Sequence, residues 1–484
     1  MAPTTLSPET KQYIQALQYH PLVKQGLQIP TSVTESDLST GFSKWRESTS
    51  TSPSGRHLGH YRSIILPRPN NTPLSILTSL INIPIHTTII PDRWTNTVTV
   101  CLEKLPGQPK TNKIRIIHLY EADLNYLLKL FWGCYLIYLA EDLNAYPDSQ
   151  YGSRPGRSSI DAVTVKFLAF EYTKTTKSSM CMMDNDATAC YDRIISLAAS
   201  LACQCIGMAT PLEHLHNEIL LRNRYHVKTA YGISDEFYHH TNELPLQGQG
   251  QGSGNAPSSW NAVSSPMWTS LRSLHAADFL TTTPDGSITT ASQGIAFADD
   301  ATLIINSPLE TPDIQDNNDL ITEFSDMVQT WERLLHTTGG EINASKSHFY
   351  AMLFSYTGIT PRLLHRSELH IPIELINSTT TTSHSLTHKD INQAERTLGV
   401  RLCPTGKATA EFQWLQHKID SLRKLIDCNH LREKEIHAAY NFYYLPSITY
   451  SFPITTFSLS DCERLQQRIT TSFLLAFGFI RSFP

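Results

Sequence analysis

Two adjacent carboxylates, Asp299 and Asp300, stand between short apolar runs in Gly-Ile-Ala-Phe-Ala-Asp-Asp-Ala-Thr-Leu-Ile-Ile (294–305). The runs predict two β-strands, and the acids the turn that joins them. Paired acids at a hairpin tip suit a divalent cation, although Asp is also a common turn residue. A second acidic set lies upstream in Met-Met-Asp-Asn-Asp-Ala-Thr-Ala-Cys-Tyr-Asp-Arg (182–193). Its leading residues are strand-like, and strand alternation turns Asp184 and Asp186 to one side. Mg2+ prefers hard oxygen ligands and takes few carboxylates besides phosphate oxygens and water. Acids from two separate strands meet that need, and two ions about 3.5–4 Å apart would serve both ends of an in-line displacement at phosphorus. Read alone, Asp186 and Asp192 equally suit helix-start or turn positions.

Leu-Gln-Gly-Gln-Gly-Gln-Gly-Ser-Gly-Asn-Ala-Pro (246–257) places four glycines at alternate positions before a helix predicted from Pro257 and containing Trp260. Such a turn lets backbone approach a phosphate or a base. The same composition also suits a flexible linker. Lys104, Lys110, Lys113 and Arg115 cluster, as do Arg154 and Arg157.

Several elements must position these groups. Thr97–Leu102 and Ile114–Leu119 are strand candidates around a Lys/Pro/Gly-rich loop at 104–112. Leu124–Ala140 reads as a buried helix, its uninterrupted apolar part too short for a bilayer. Ser7-Pro8-Glu9 predicts a helix start, 48–55 a loop, and 377–385 a polar linker or surface loop. Phe412, Leu415, Ile419, Leu422 and Ile426 step by three or four and give a helix one apolar face. Ser460-Asp-Cys-Glu463 reads as a capping box before Leu465, Ile469 and Phe473.

The chain of 484 residues is 40% hydrophobic and 17% charged, which suits packed subdomains and argues against wholesale disorder. Its formal net charge of −5 runs against the basic balance expected of a nucleic-acid binder. Nine cysteines lack framework spacing, and no apolar core follows Met1, so reduced thiols and an intracellular location are expected. Cys203, Cys205, His214 and His216 lack zinc-site spacing on a segment that reads as helical.

Taken together, the motifs resemble those of reverse transcriptases of the non-LTR retrotransposon and group II intron kind. The resemblance rests on Asp186-Ala-Thr-Ala-Cys-Tyr191-Asp192, Gly248-Gln-Gly-Gln251-Gly252-Ser253-Gly-Asn-Ala-Pro257, Phe297-Ala298-Asp299-Asp300 and Gly339-Gly-Glu-Ile-Asn343-Ala-Ser-Lys346. Upstream, Leu-Glu-Lys104-Leu-Pro-Gly107, Ile-Arg115-Ile-Ile-His-Leu and Gln150-Tyr-Gly-Ser-Arg154-Pro-Gly156-Arg157 match in order, with Ile116 where the family usually has Pro. The resemblance implies an α+β right-hand polymerase fold: a helical extension (1–50), fingers (51–180), a palm with an antiparallel sheet (181–365), a polar linker (366–388) and a helical thumb (389–484), short enough to be truncated.

It further implies an RNA-directed DNA polymerase that extends a DNA or RNA primer on an RNA template with dNTPs. Asp186, Asp299 and Asp300 would hold two Mg2+ ions, with Mn2+ as a substitute, and Lys346 would act as general acid. Lys104, Arg115, Tyr191 and Gln251 would bind the dNTP, with Tyr191 crowding a 2′-hydroxyl. Arg154, Arg157, Gly252, Ser253 and Phe297 would contact template or primer. Two other readings fit the same residues: an inactive polymerase-like nucleic-acid-binding remnant, and an RNA-dependent RNA polymerase. No membrane partner is expected.

Overall fold

Ser7 caps the first helix, α1 (Pro8–Ala16), its hydroxyl accepting from the Thr10 amide. There follow β1 (Asn96–Glu103), β2 (Ile114–Leu119), α2 (Ala122–Leu130), α3 (Ser159–Thr176), β3 (Met180–Asn185), β4 (Arg224–Thr229), β5 (Gly232–His239) and α4 (Ala256–Leu274). The second half carries β6 (Gly294–Phe297), β7 (Asp300–Asn306), α5 (Ile314–Thr337), β8 (His348–Met352), β9 (Glu374–Ile376), β10 (Ser383–Ser385), β11 (Thr387–His388), β12 (Glu395–Thr397), β13 (Val400–Leu402), α6 (Thr409–Cys428) and α7 (Leu459–Ala476). The computed structural model describes residues 6–46, 52–66, 72–105, 107, 108, 110, 113–188, 190–307, 312–369, 371–428 and 431–479. The expected loops at 48–55 and 104–112 therefore lie partly outside the described residues.

The central sheet runs in the order β11-β8-β3-β7-β6. Its strands pair antiparallel except β8 with β11. β3 sits in the middle, and the side chains of Met180, Cys181, Met182 and Met183 are all at most 1% exposed. An apolar run with no polar alternation is what a strand covered on both faces requires. Cys181 and Met183, with Leu303, Ile305 and Phe349, pack with Val263 and Met267 of α4 and Phe324 and Trp331 of α5. Met180 and Met182, with Ile304 and Met352, pack with Val163 and Phe170 of α3. The sheet is thus sandwiched, and its polar end is left for the acids.

A second sheet, β2-β1-β4-β5, joins segments far apart in sequence. β1 pairs antiparallel with β2 but parallel with β4, so residues 224–239 belong to the same sheet as 96–119. Beside it α2 continues through a wider π-type turn (Phe131–Leu136) to Asp142, the buried helix expected over 124–140. α1 is integrated as well: Tyr13 donates its hydroxyl to the Val263 carbonyl at 3.2 Å, and Glu9 pairs with Arg333 at 2.9 Å.

Two expectations need correction. Residues 366–388 are not a linker but carry the antiparallel hairpin β9–β10. Ile373, Leu375 and Leu386 are buried in the main core, and Gln329 of α5 exchanges hydrogen bonds with the Ile376 backbone at 2.8 and 3.0 Å. The Thr/Ser run masked these anchors because they flank it. The last helix begins two residues earlier than expected: its capping box uses Ser458 and Asp461, an alternative frame in Ser-Leu-Ser-Asp. The apolar stripe Phe412, Leu415, Ile419, Leu422 and Ile426 is buried as expected and packs with Leu465, Ile469 and Phe473 of α7. Among the described residues no helix is long and apolar enough to cross a membrane.

Because Leu375 pins the hairpin to α5, Leu375→Ala should lower the unfolding free energy by about 2–4 kcal/mol in urea titrations. A linker would give no measurable change.

Candidate active site

The Asp299–Asp300 turn is built under constraint. Phe297 pairs with Asp300, leaving Ala298 and Asp299 as a two-residue turn. Ala298 has φ +55°, a left-handed conformation that costs a side-chain-bearing residue about 1–2 kcal/mol. Three contacts hold it there. The Gln150 side chain accepts from the Ala298 amide at 3.1 Å and donates to its carbonyl at 3.3 Å. The Trp260 indole donates to the same carbonyl at 2.7 Å. Gly152 lies so close that a Cβ there would stand 2.1 Å from the Ala298 nitrogen.

The second acidic segment leaves β3 at Asn185. Asp186 is held by its own backbone: its amide donates to Ser347 Oγ at 3.1 Å and its carbonyl accepts from the Asn343 amide at 2.8 Å. Asp184, Asp186, Phe297, Asp300 and Lys346 all line one cavity of about 160 Å³. Asp184 and Asp186 therefore face the same side. Lys346 Nζ is 3.1 Å from Asp186 Oδ2.

Burial and neighbouring charge act on these acids unequally. Burial, then the charges of Asp299, Asp186 and Asp184, push the Asp300 carboxyl up to about 6. Burial and the Asp186 charge also raise Asp299, against the opposing pull of Arg115. Burial raises the Tyr191 hydroxyl, and the charges of Asp299 and Asp300 add to it, which sets that ring beside the turn. Asp184 behaves differently. Burial would raise it, but Lys166 and His348 outweigh that and hold it well below the usual carboxylate range.

Carboxylates forced together are the donor set a hard divalent cation suits. Asp186, Asp299 and Asp300 fit such an ion by donor chemistry. Among the described residues, however, no three His, Cys, Asp or Glu side chains are grouped so that they could hold a metal ion by themselves. Mg2+ usually takes only one or two carboxylates, with phosphate and water completing its shell.

The glycine-rich segment packs tightly rather than swinging as a linker. Gly248 has φ +95°, and a Cβ there would stand 2.4 Å from the Asp192 carbonyl. Its neighbour Gln249 donates its amide to the Tyr191 carbonyl at 2.7 Å. Gln251 bridges two elements, its amide donating to Asp192 Oδ1 at 3.1 Å and its carbonyl accepting from His118 of β2 at 2.7 Å. Asn255, fully buried, donates to Gln249 Oε1 at 2.6 Å and lies 3.2 Å from His216 Nε2. Gly252 is exposed, and its carbonyl accepts from Asn125 at 3.1 Å.

Among the basic residues the structure separates expectations. Arg115 is exposed on β2, and its charge opposes the upward shift of Asp299. Lys104 is exposed just past β1, and no ion pair joins it to the acids among the described residues. Arg157 is partly buried against Tyr151 and bonds Asp148 at 2.8 Å. Arg154 is a correction. Its guanidinium is buried and forks onto Glu141 at 2.6 and 2.7 Å, and it also donates to the carbonyls of Pro147 and Gln150. With these donors engaged it anchors the loop that carries Gln150 and does not offer itself to phosphate. Ser253 is a second correction, being buried with its hydroxyl donated to Asn255.

Sequence reasoning missed Gln150, Trp260 and Lys166 as supports of the acids, and Gln249, Asn255 and His216 as supports of the glycine loop. A side chain at position 152 must displace the turn backbone, so Gly152→Ala should destabilise the protein by about 1–3 kcal/mol. Urea unfolding of the variant against the parent measures this.

Residues 108–361, over half of the chain, match the reverse transcriptase (RNA-dependent DNA polymerase) family. No curated protein matches the chain. The matched span contains both acidic segments, the glycine-rich loop and Lys346, and the chain belongs to the reverse transcriptase family.

Proposed function

We propose that the chain extends a primer on an RNA template with deoxynucleoside triphosphates, as the non-LTR retrotransposon and group II intron enzymes it resembles do. The supporting observation is the convergence of Asp186 with Asp300, from segments more than a hundred residues apart, at one cavity, with Asp299 near enough to feel the Asp186 charge although it does not line that cavity. Asp186, Asp299 and Asp300 are the residues that would hold two Mg2+ ions. When bound, such ions would activate the primer hydroxyl and stabilise the departing pyrophosphate.

The remaining roles belong to the chain itself. Arg115 offers a planar, bidentate contact to triphosphate oxygens, and Lys104 a mobile point charge. Tyr191 stands beside the turn, anchored through its carbonyl by Gln249, where its ring would crowd a 2′-hydroxyl. Gln251 is fixed through its backbone between Asp192 and β2, and its side chain would pack against the nascent pair. Gly252 and Phe297 would border template and primer, and Arg157 would meet template phosphate with its exposed part. Lys346, released from Asp186 as phosphate arrives, would protonate the leaving group. In the right-hand arrangement α6 and α7 belong to the thumb and would grip the duplex by shape and backbone contacts.

Primer extension on poly(rA)/oligo(dT) with Mg2+ tests this reading. Asp299→Asn should reduce dTTP incorporation by roughly a hundredfold or more, the scale on which loss of one essential polar group acts, with an unchanged circular dichroism spectrum. Activity at the parental level would refute the assignment. Tyr191→Ala should weaken discrimination against ribonucleotides by about tenfold, within the range open to a steric filter, measured as the ratio of kcat/KM for dTTP and UTP. A parent enzyme preferring UTP would instead point to RNA synthesis.

A further inference from the structure

Two residues before one cavity residue, and two after each of two others, lies a partner in a second polar row. Asp184 precedes Asp186 on β3, Thr302 follows Asp300 on β7, and His348 follows Lys346 at the start of β8. Asp184 is the direct cross-strand neighbour of both Thr302 and His348. A two-residue step keeps a strand's side chains on one face. That face carries an inner row of Asp184, Thr302 and His348 and then Met182, Ile304 and Tyr350, while Asp186 just past β3, Asp300 at the start of β7 and Lys346 in the turn before β8 line the cavity beyond it as an outer row.

The inner row is closed by one buried cation. Lys166 of α3 places Nζ 2.6 Å from both oxygens of Asp184 and 2.9 Å from Thr397 Oγ1 of β12. Thr302 donates its hydroxyl to Asp184 Oδ1 at 2.7 Å. His348 Nε2 lies 3.2 Å from Asp184 Oδ2, without the alignment of a hydrogen bond. Arg396 and Thr397 line the same cavity as the acids. The Lys166 side chain is only 3% exposed.

Such a pair is a poor stabiliser, because desolvating both charges offsets most of their attraction. Apolar residues of similar size would fill the site as well. What apolar residues cannot supply is direction. The Asp184 carboxylate fixes β3 against β7, and Lys166 adds α3 and the β12–β13 hairpin, each bond lying one row from a group at the site. Asp184 is fully engaged in this way, so it is not a spare metal ligand despite its spacing from Asp186.

Resting on the polymerase reading above, we propose that Lys166 and Asp184 form a positioning pair that sets the relative placement of Asp186 and Asp300, and hence the affinity of these carboxylates for divalent metal. The pair touches neither substrate nor the reacting atoms.

The test uses the full chain with Lys166→Met, Asp184→Asn, Thr302→Val and Lys166→Arg. Circular dichroism and thermal melts establish folding, Mn2+ titration followed by electron paramagnetic resonance gives metal affinity, and poly(rA)/oligo(dT) extension gives kcat, the dTTP KM and the Mg2+ half-saturation. Lys166→Met and Asp184→Asn should weaken Mn2+ binding and lower kcat by roughly ten- to a hundredfold, the usual effect of removing a support one shell out from a metal. The dTTP KM should stay near the parental value. Lys166→Arg should restore most of the loss, and Thr302→Val should fall between.

Folded variants with parental Mn2+ affinity would overturn the inference, as would a parent that binds no Mn2+. Should Lys166→Met not fold, Thr302→Val decides by the same criterion. A parent that binds Mn2+ more tightly than the variants yet incorporates no dTTP would remove the polymerase reading and leave the positioning role standing.

Discussion

The packed sheet behind Asp186 and the Asp299–Asp300 turn is the constraint on which the site depends. Asp186, Asp299 and Asp300 gather at one end of the central sheet, where burial and neighbouring charge raise Asp299 and push the Asp300 carboxyl up to about 6. They are kept in place because everything behind them is well packed: β3 is buried on both faces, and two layers of helix cover the sheet. Apolar burial supplies the free energy against which the charged end is held. The polar face then divides labour, with acids at the rim and a neutralised pair one row in.

The same logic explains the turn. A residue with φ +55° and a crowded carboxylate beside it needs external support, and that support comes from segments far away in the chain. Gln150 provides both a donor and an acceptor, Trp260 a donor, and Gly152 the space. Arg154 belongs to this arrangement, bracing the loop through Glu141. The stretch Gln150–Arg157 thus acts on the acids through the backbone of the turn, which is why a residue that reads as a phosphate contact proves to be a brace.

What was legible beforehand followed from local rules. The stripe from Phe412 to Ile426 identifies its own helix, and alternation across 182–186 places Asp184 and Asp186 on one side. The Asp299–Asp300 hairpin declares itself through flanking apolar runs. What was not legible depends on partners that no spacing reveals. Lys166 looks like any helical lysine until β3 is laid beside it, and Arg154 carries the right charge for phosphate until Glu141 claims it. The β9–β10 hairpin was hidden because composition averages over a turn whose anchors lie outside it. At Ser458 and Ser460 two capping frames compete within three residues, and the helix takes the one in which Ser458 and Asp461 cap each other.

The parallel pairing of β1 with β4 joins residues 96–100 to 224–228, and β3 waits for neighbours at 300–306 and 348–352. During synthesis, then, most of the chain must leave the ribosome before the central strand has both edges covered. Until that moment Met180–Met183 is a bare, apolar template for foreign strands. Contacts of such long sequence separation form slowly, so yield in the cell is governed by protection of this one strand during elongation, ahead of any property of the finished fold.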